Sequence, residues 1–167
     1  MHRVLVMDDE SAMNEYITDI LKPAGFDVFA ALDGVTGQEA LGAHDPHVVI
    51  LDIFMPGKDG LEVLIELRHR RSSVPVLVIS GKQQLLSDSS MGLAKQLGAD
   101  EVLAKPFTPE ELIDRVSRLA RAGGGRSHLN SRANETTFVT LRRCINVVKS
   151  RFGRAREKPK AEENAKG

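Results

Sequence analysis

The sequence contains no tryptophan, one tyrosine and one cysteine, and aromatic residues make up only 4% of it. A lone Cys144 excludes an internal disulfide and gives no sign of an oxidising compartment. The five histidines, His2, His44, His47, His69 and His128, show no metal-ligand spacing and read as surface or loop residues. Long apolar runs are also missing. The first, Val4-Leu5-Val6-Met7, is far too short for a signal peptide or a membrane span, so a cytoplasmic location is expected. Net charge is zero, yet residues 1–120 hold 11 Lys and Arg against 19 Asp and Glu, and residues 121–167 hold 12 against 4. An acidic body of net charge −8 therefore carries a basic tail of +8. With 167 residues, 41% hydrophobic and 28% charged, the chain suits one soluble domain plus a modest appendage.

Short apolar runs alternate with helical patterns up to about residue 120. The runs are Val4–Met7, Val28–Ala31, Val48–Leu51, Val76–Ile79 and Val102–Leu103. Their continuous, β-branched character fits buried parallel strands. Met13, Tyr16, Ile17, Ile20 and Leu21 form one helical stripe, and Leu61, Leu64 and Leu67 form another. Thr108-Pro109-Glu110-Glu111 is a capping box with proline at the first helical position, launching a helix with Leu112, Val116 and Leu119. Five strands alternating with five helices predict a doubly wound α/β domain, a parallel sheet with helices on both faces.

The polar residues at the ends of these runs carry the chemistry. The first run ends in Asp8-Asp9, the third in Asp52, the fourth in Ser80, and the fifth leads to Lys105. The carboxyl ends of neighbouring parallel strands share one edge, where ligands bind. Converging carboxylates repel one another, and a hard cation such as Mg²⁺ relieves that repulsion. The parts suit phosphoryl transfer: Asp52 as nucleophile, Asp8 and Asp9 holding the metal, Ser80 and Lys105 contacting the phosphoryl oxygens.

At these residues the chain resembles the receiver domain of bacterial two-component response regulators, across residues 1–120. The resemblance rests on Asp8-Asp9, on Asp52-Ile53-Phe54-Met55-Pro56-Gly57-Lys58-Asp59-Gly60, on Ser80-Gly81, and on Lys105-Pro106-Phe107. It implies a flavodoxin-like fold with strand order 2-1-3-4-5 and a cis Lys105–Pro106 bond. It also implies phosphoryl transfer to Asp52 from a sensor histidine kinase or a histidine phosphotransfer protein, with Mg²⁺ held by Asp8, Asp9, Asp52 and the backbone carbonyl of Phe54. Such a protein assists its own phosphorylation and dephosphorylation without being an enzyme in the usual sense, and signals through contact with a downstream protein.

Plainer readings stand beside these. Asp8-Asp9 could cap a helix, Asp52 could be a loop carboxylate, Ser80 an ordinary strand-end hydroxyl, and Lys105 a loop lysine before proline. An unpaired carboxylate directly after so apolar a strand would be costly, which favours the functional reading of Asp52. Two departures from the family bear on mechanism. Val102 stands where the family usually has Tyr or Phe as a rotamer switch, and valine cannot swing as a ring does. Phe54 cannot hydrogen-bond an attacking water, so slow loss of the phosphoryl group is expected. The stretch from Ser80 to Gly98 is also about three residues longer than the family pattern, by count against that pattern. Lys82-Gln83-Gln84 and Ser87-Asp88-Ser89-Ser90 suggest an extended, mobile loop there.

The domain is expected to end at residue 121, followed by a Gly/Ser/Arg linker over 122–134. A basic amphipathic helix over 135–153, with Phe138, Leu141, Ile145, Val148 and Phe152 on one face, precedes a disordered tail over 154–167. This helix could pack on the body, dimerise, lie on an anionic membrane or dock on a partner. Residues 121–167 are too few for a DNA-binding output domain and show no helix-turn-helix, so nucleic acid is not the expected partner. A transcriptional regulator using the basic tail on DNA and a phosphate-independent binding module remain alternatives. A haloacid-dehalogenase-like phosphatase is disfavoured, because that family needs a second Asp where Phe54 stands.

Overall fold

The computed structural model describes residues 1–70, 72–81 and 89–123. Along the chain run β1 (His2–Met7), α1 (Ser11–Leu21), β2 (Phe26–Ala31), α2 (Gly34–His44) and β3 (Val48–Asp52). They are followed by α3 (Gly60–His69), β4 (Val76–Gly81), α4 (Ser89–Gln96), β5 (Glu101–Lys105) and α5 (Pro109–Gly123). The strands form one parallel sheet in the order β2-β1-β3-β4-β5. This is the doubly wound, flavodoxin-like arrangement expected from the sequence. The order reverses between β1 and β3, which places a switch point at the carboxyl ends of those two strands.

Burial follows position in the sheet. Every residue of β3 is buried, as are Val4–Met7 of β1 and Val76–Ser80 of β4, whereas the edge strands β2 and β5 are mostly half-buried. On one face Val4, Val6, Val48, Ile50, Leu77, Ile79 and Leu103 pack against Ile17 and Leu21 of α1 and Leu112, Val116 and Leu119 of α5. The capping box holds as expected. The Thr108 N–H donates to Glu111 Oε2 (2.9 Å) and the Glu111 N–H to Thr108 Oγ1 (3.2 Å).

On the other face α2 lies close to the sheet, and its glycines explain how. A Cβ at Gly37 would collide with Met7 Sδ, and one at Gly34 would press on Lys58 at the end of the β3–α3 loop. Asp33 caps this helix, accepting from the N–H groups of Val35 and Thr36 at 2.8 Å each. Two inward glycines leave no apolar stripe for the sequence to display, so α2 could be counted but not placed.

Asp52, Ser80, Gly81 and Lys105 lie within the carboxyl ends of their strands, the positions read from the sequence. Other expectations change in detail. In α1 the inner line is Asn14, Ile17 and Leu21, while Tyr16 is 42% exposed and Met13 and Ile20 are only partly buried. The helix turns its 14-17-21 line inward, one residue round from the centre of the apolar stripe. Ser89 and Ser90 open α4 instead of belonging to the preceding loop. Residues 82–88, the linker beyond Gly123, the amphipathic segment over 135–153 and the tail lie outside the described residues. Among the described residues no helix is long and apolar enough to cross a membrane.

Candidate functional site

Strand register sets the site. Met7 pairs with Leu51, Asp52 with Ile79, and Gly81 with Lys105. The residues at the carboxyl ends of β1, β3, β4 and β5 therefore stand side by side along one edge. One carboxylate oxygen from each of Asp8, Asp9 and Asp52 lies within 4.8 Å of the others. Lys105 Nζ bridges two of them, at 2.6 Å from Asp8 Oδ2 and 3.2 Å from Asp52 Oδ2. Asp8 is fully buried, Asp52 is 3% exposed, and Ser80 at the end of β4 is fully buried.

Local chemistry shapes each part. Asp8 Oδ1 accepts the Glu10 N–H at 3.0 Å, which folds the turn between β1 and α1 back on itself. The N-cap position of α1 belongs to Glu10, with no side-chain cap, so the plain helix-cap reading of Asp8-Asp9 does not describe this turn. After Asp52, the Phe54 N–H points at Asp52 Oδ1 (3.5 Å). Gly57 adopts φ +75°, a turn that glycine adopts without strain. Asp59 then caps α3, accepting the Glu62 N–H at 2.9 Å. Gly60 passes so near β3 that a Cβ would run into the Asp52 carbonyl oxygen. The Asp59-Gly60 pair is thus needed to start α3 directly behind the strand that carries Asp52. The Lys105–Pro106 peptide is cis, as the resemblance implied.

Burial governs the electrostatics. Removal from water, reinforced by the neighbouring Asp8 charge, pushes the Asp52 carboxyl up from 3.8 to about 6, although Lys105 opposes the shift. Burial alone would lower the pKa of Lys105. The charges of Asp52 and Asp8 outweigh it and hold the ammonium above its usual value. At neutral pH Asp52 is an ionised, poorly solvated carboxylate held by the Lys105 ammonium.

The donor set fits a small hard divalent cation. All three side chains offer carboxylate oxygens, the type Mg²⁺ prefers. One oxygen from each lies within 4.8 Å of the others, so the three could be gathered around a single small cation. Ser80 Oγ is buried and finds no hydrogen-bond partner among the described residues, as suits a hydroxyl placed to donate to an incoming group.

Every side chain singled out from sequence, Asp8, Asp9, Asp52, Ser80 and Lys105, stands at this sheet edge, with Phe54 in the adjoining loop. Val102 is half-buried in β5, paired with Val78. Sequence reasoning passed over Asn14, which is 4% exposed and donates from Nδ2 to the Asp8 carbonyl at 2.8 Å and the Ala31 carbonyl at 3.3 Å. Its only signal was a polar residue in step with Ile17 and Leu21.

A model of the response regulator receiver domain family matches residues 4–117, and the chain belongs to that family. Solved structures agree. The receiver domain of the Francisella response regulator 1452 is 30% identical, with a TM-score of 0.68 over 73% of this chain and 98% of that one. The receiver domain of NtrX from Brucella abortus is also 30% identical, with a TM-score of 0.66 over 71% of this chain and 98% of that one. A response regulator receiver domain protein from Clostridium thermocellum is 27% identical, with a TM-score of 0.69 over 74% and 98% of the two chains.

Proposed function

We propose that this chain is the phosphoacceptor of a two-component or phosphorelay system, taking a phosphoryl group onto Asp52 from a phosphohistidine on a sensor kinase or phosphotransfer protein. The observation that carries this reading is the cluster of Asp8, Asp9 and Asp52, with carboxylate oxygens within 4.8 Å, clamped by Lys105 at the switch point. Asp8, Asp9, Asp52 and the Phe54 carbonyl would hold Mg²⁺, which supplies positive charge against the oxygens of the transferring group.

An Asp52 oxygen attacks phosphorus in line, and the bond from phosphorus to the imidazole nitrogen breaks. The electron pair leaves with the imidazole, and the acyl phosphate remains on Asp52. Lys105 already touches Asp52 and shifts to a phosphoryl oxygen as the carboxylate charge is consumed, while Ser80 Oγ donates to another. The chain acts once on itself and does not turn over a separate substrate, so it is not an enzyme in the usual sense. It works in the cytoplasm and signals by contact with a downstream protein. Val102 cannot swing as an aromatic ring would, so the signal reaches the surface by another route.

Labelling with radioactive acetyl phosphate tests the chemistry. The label should require Mg²⁺ and be released by hydroxylamine, which cleaves acyl phosphates. A label that resists hydroxylamine would place the phosphate on a hydroxyl and overturn the assignment.

A further inference from the structure

We propose that Asn14 is a positioning residue for the divalent-cation site, setting how Asp8 and Asp9 present their carboxylates; this rests on the phosphoacceptor reading above. Asn14 lies near the start of α1, 4% exposed, on the inner line it shares with Ile17 and Leu21. An apolar residue would pack at such a position without any polar group to satisfy. Asn14 instead donates from its amide to two backbone carbonyls, that of Asp8 at 2.8 Å and that of Ala31 at 3.3 Å. The Ala31 carbonyl also accepts the Asp8 N–H at 3.2 Å. One side chain therefore ties the start of the acidic turn to the end of β2.

The amide is not free to turn over, because both acceptors require a donor. Its Oδ1 is consequently left buried with no hydrogen-bond partner among the described residues. Burying an unpaired acceptor is unfavourable. The arrangement weakens the core locally while fixing the backbone from which Asp8 and Asp9 project. Asp8 is held at its carbonyl by Asn14, at Oδ1 by the Glu10 N–H and at Oδ2 by Lys105. Of these three contacts, Asn14 alone holds the main chain without occupying a carboxylate oxygen. Partners behind the ligands of a metal commonly set its affinity in this way.

The test is a titration with Mn²⁺ alone, followed by the paramagnetic resonance of the free ion, on the full chain, on Asn14→Leu and on Asp9→Asn. Leucine keeps the branched outline of asparagine and removes both the donors and the orphaned acceptor. The expected result is binding to the wild type that Asp9→Asn abolishes and that Asn14→Leu weakens about tenfold, with little change in the metal-free unfolding midpoint. The metal concentration for half-maximal phosphorylation should rise in step while the rate at saturating metal is retained. Equal affinities for wild type and Asn14→Leu, with Asp9→Asn still inactive in binding, would overturn the role of Asn14 and leave the phosphoacceptor reading standing. Wild-type binding that is absent, or indifferent to Asp9→Asn, would overturn both. Should Asn14→Leu fail to fold, Asn14→Ala adds no bulk and carries the same comparison.

Discussion

In the absence of metal, replacing Asp52 with asparagine should make this protein more stable, because the native fold holds that carboxylate away from water. Its pKa rises from 3.8 to about 6 on burial. A gap of about 2 units corresponds to about 3 kcal/mol of destabilisation once the group is ionised in both states. That figure is already net of the attraction of Lys105, and in the variant the ammonium keeps Asp8 at 2.6 Å. A net gain of about 1–3 kcal/mol is expected, or about 4–12 °C in Tm for a domain of this size. The pH dependence has a definite sign. Between about pH 4 and 6 the folded state binds more protons than the unfolded state, so wild-type stability should fall relative to Asp52→Asn as pH rises through that window. Below it the two proteins should converge. Thermal and urea unfolding in EDTA across pH 4 to 8 measures this directly. An Asp52→Asn protein that is less stable than wild type at pH 7.5, or a difference that ignores pH, would refute the reasoning.

Other consequences follow from the same geometry. Lys105→Met leaves Asp8 and Asp52 buried without the cation that bridges them, and should cost about 2–4 kcal/mol in metal-free urea unfolding. Combining it with Asp52→Asn should recover part of that loss, and additive effects would contradict the pairing. Gly60→Ala should destabilise by about 1–3 kcal/mol and impair phosphorylation, since the new methyl meets the Asp52 carbonyl. A fully stable and reactive Gly60→Ala protein would show that the loop has room to move. The phosphorylated protein should decay over minutes or longer, because Phe54 offers no hydrogen bond to an attacking water. A lifetime of seconds, followed by mass spectrometry after removal of the phosphodonor, would contradict that reading.

Much of the site was legible because its chemistry sits where hydrophobic runs stop. Asp8-Asp9, Asp52, Ser80 and Lys105 each end or follow a run too apolar to be a loop, and parallel topology forces those ends together. Strand order and helix faces were harder to read from the residues alone. The order 2-1-3-4-5 came with the family resemblance, since apolar runs alone do not say which strand is central. α2 was obscured because its close packing uses Gly34 and Gly37, residues that look like helix breakers until Met7 and Lys58 are seen against them. Asn14 was hidden for the opposite reason. A polar residue beside an apolar stripe reads as solvent-facing, and only the carbonyls of Asp8 and Ala31 reveal why it points inward.

Intact-protein mass spectrometry after incubation with acetyl phosphate and Mg²⁺ tests the central claim most directly, with Asp52→Asn treated alongside. The account predicts a gain of about 80 Da, one phosphoryl group on one carboxylate, that is lost with EDTA and absent from Asp52→Asn. An adduct of equal yield on Asp52→Asn, or none on the wild type when a control receiver is labelled, would contradict it.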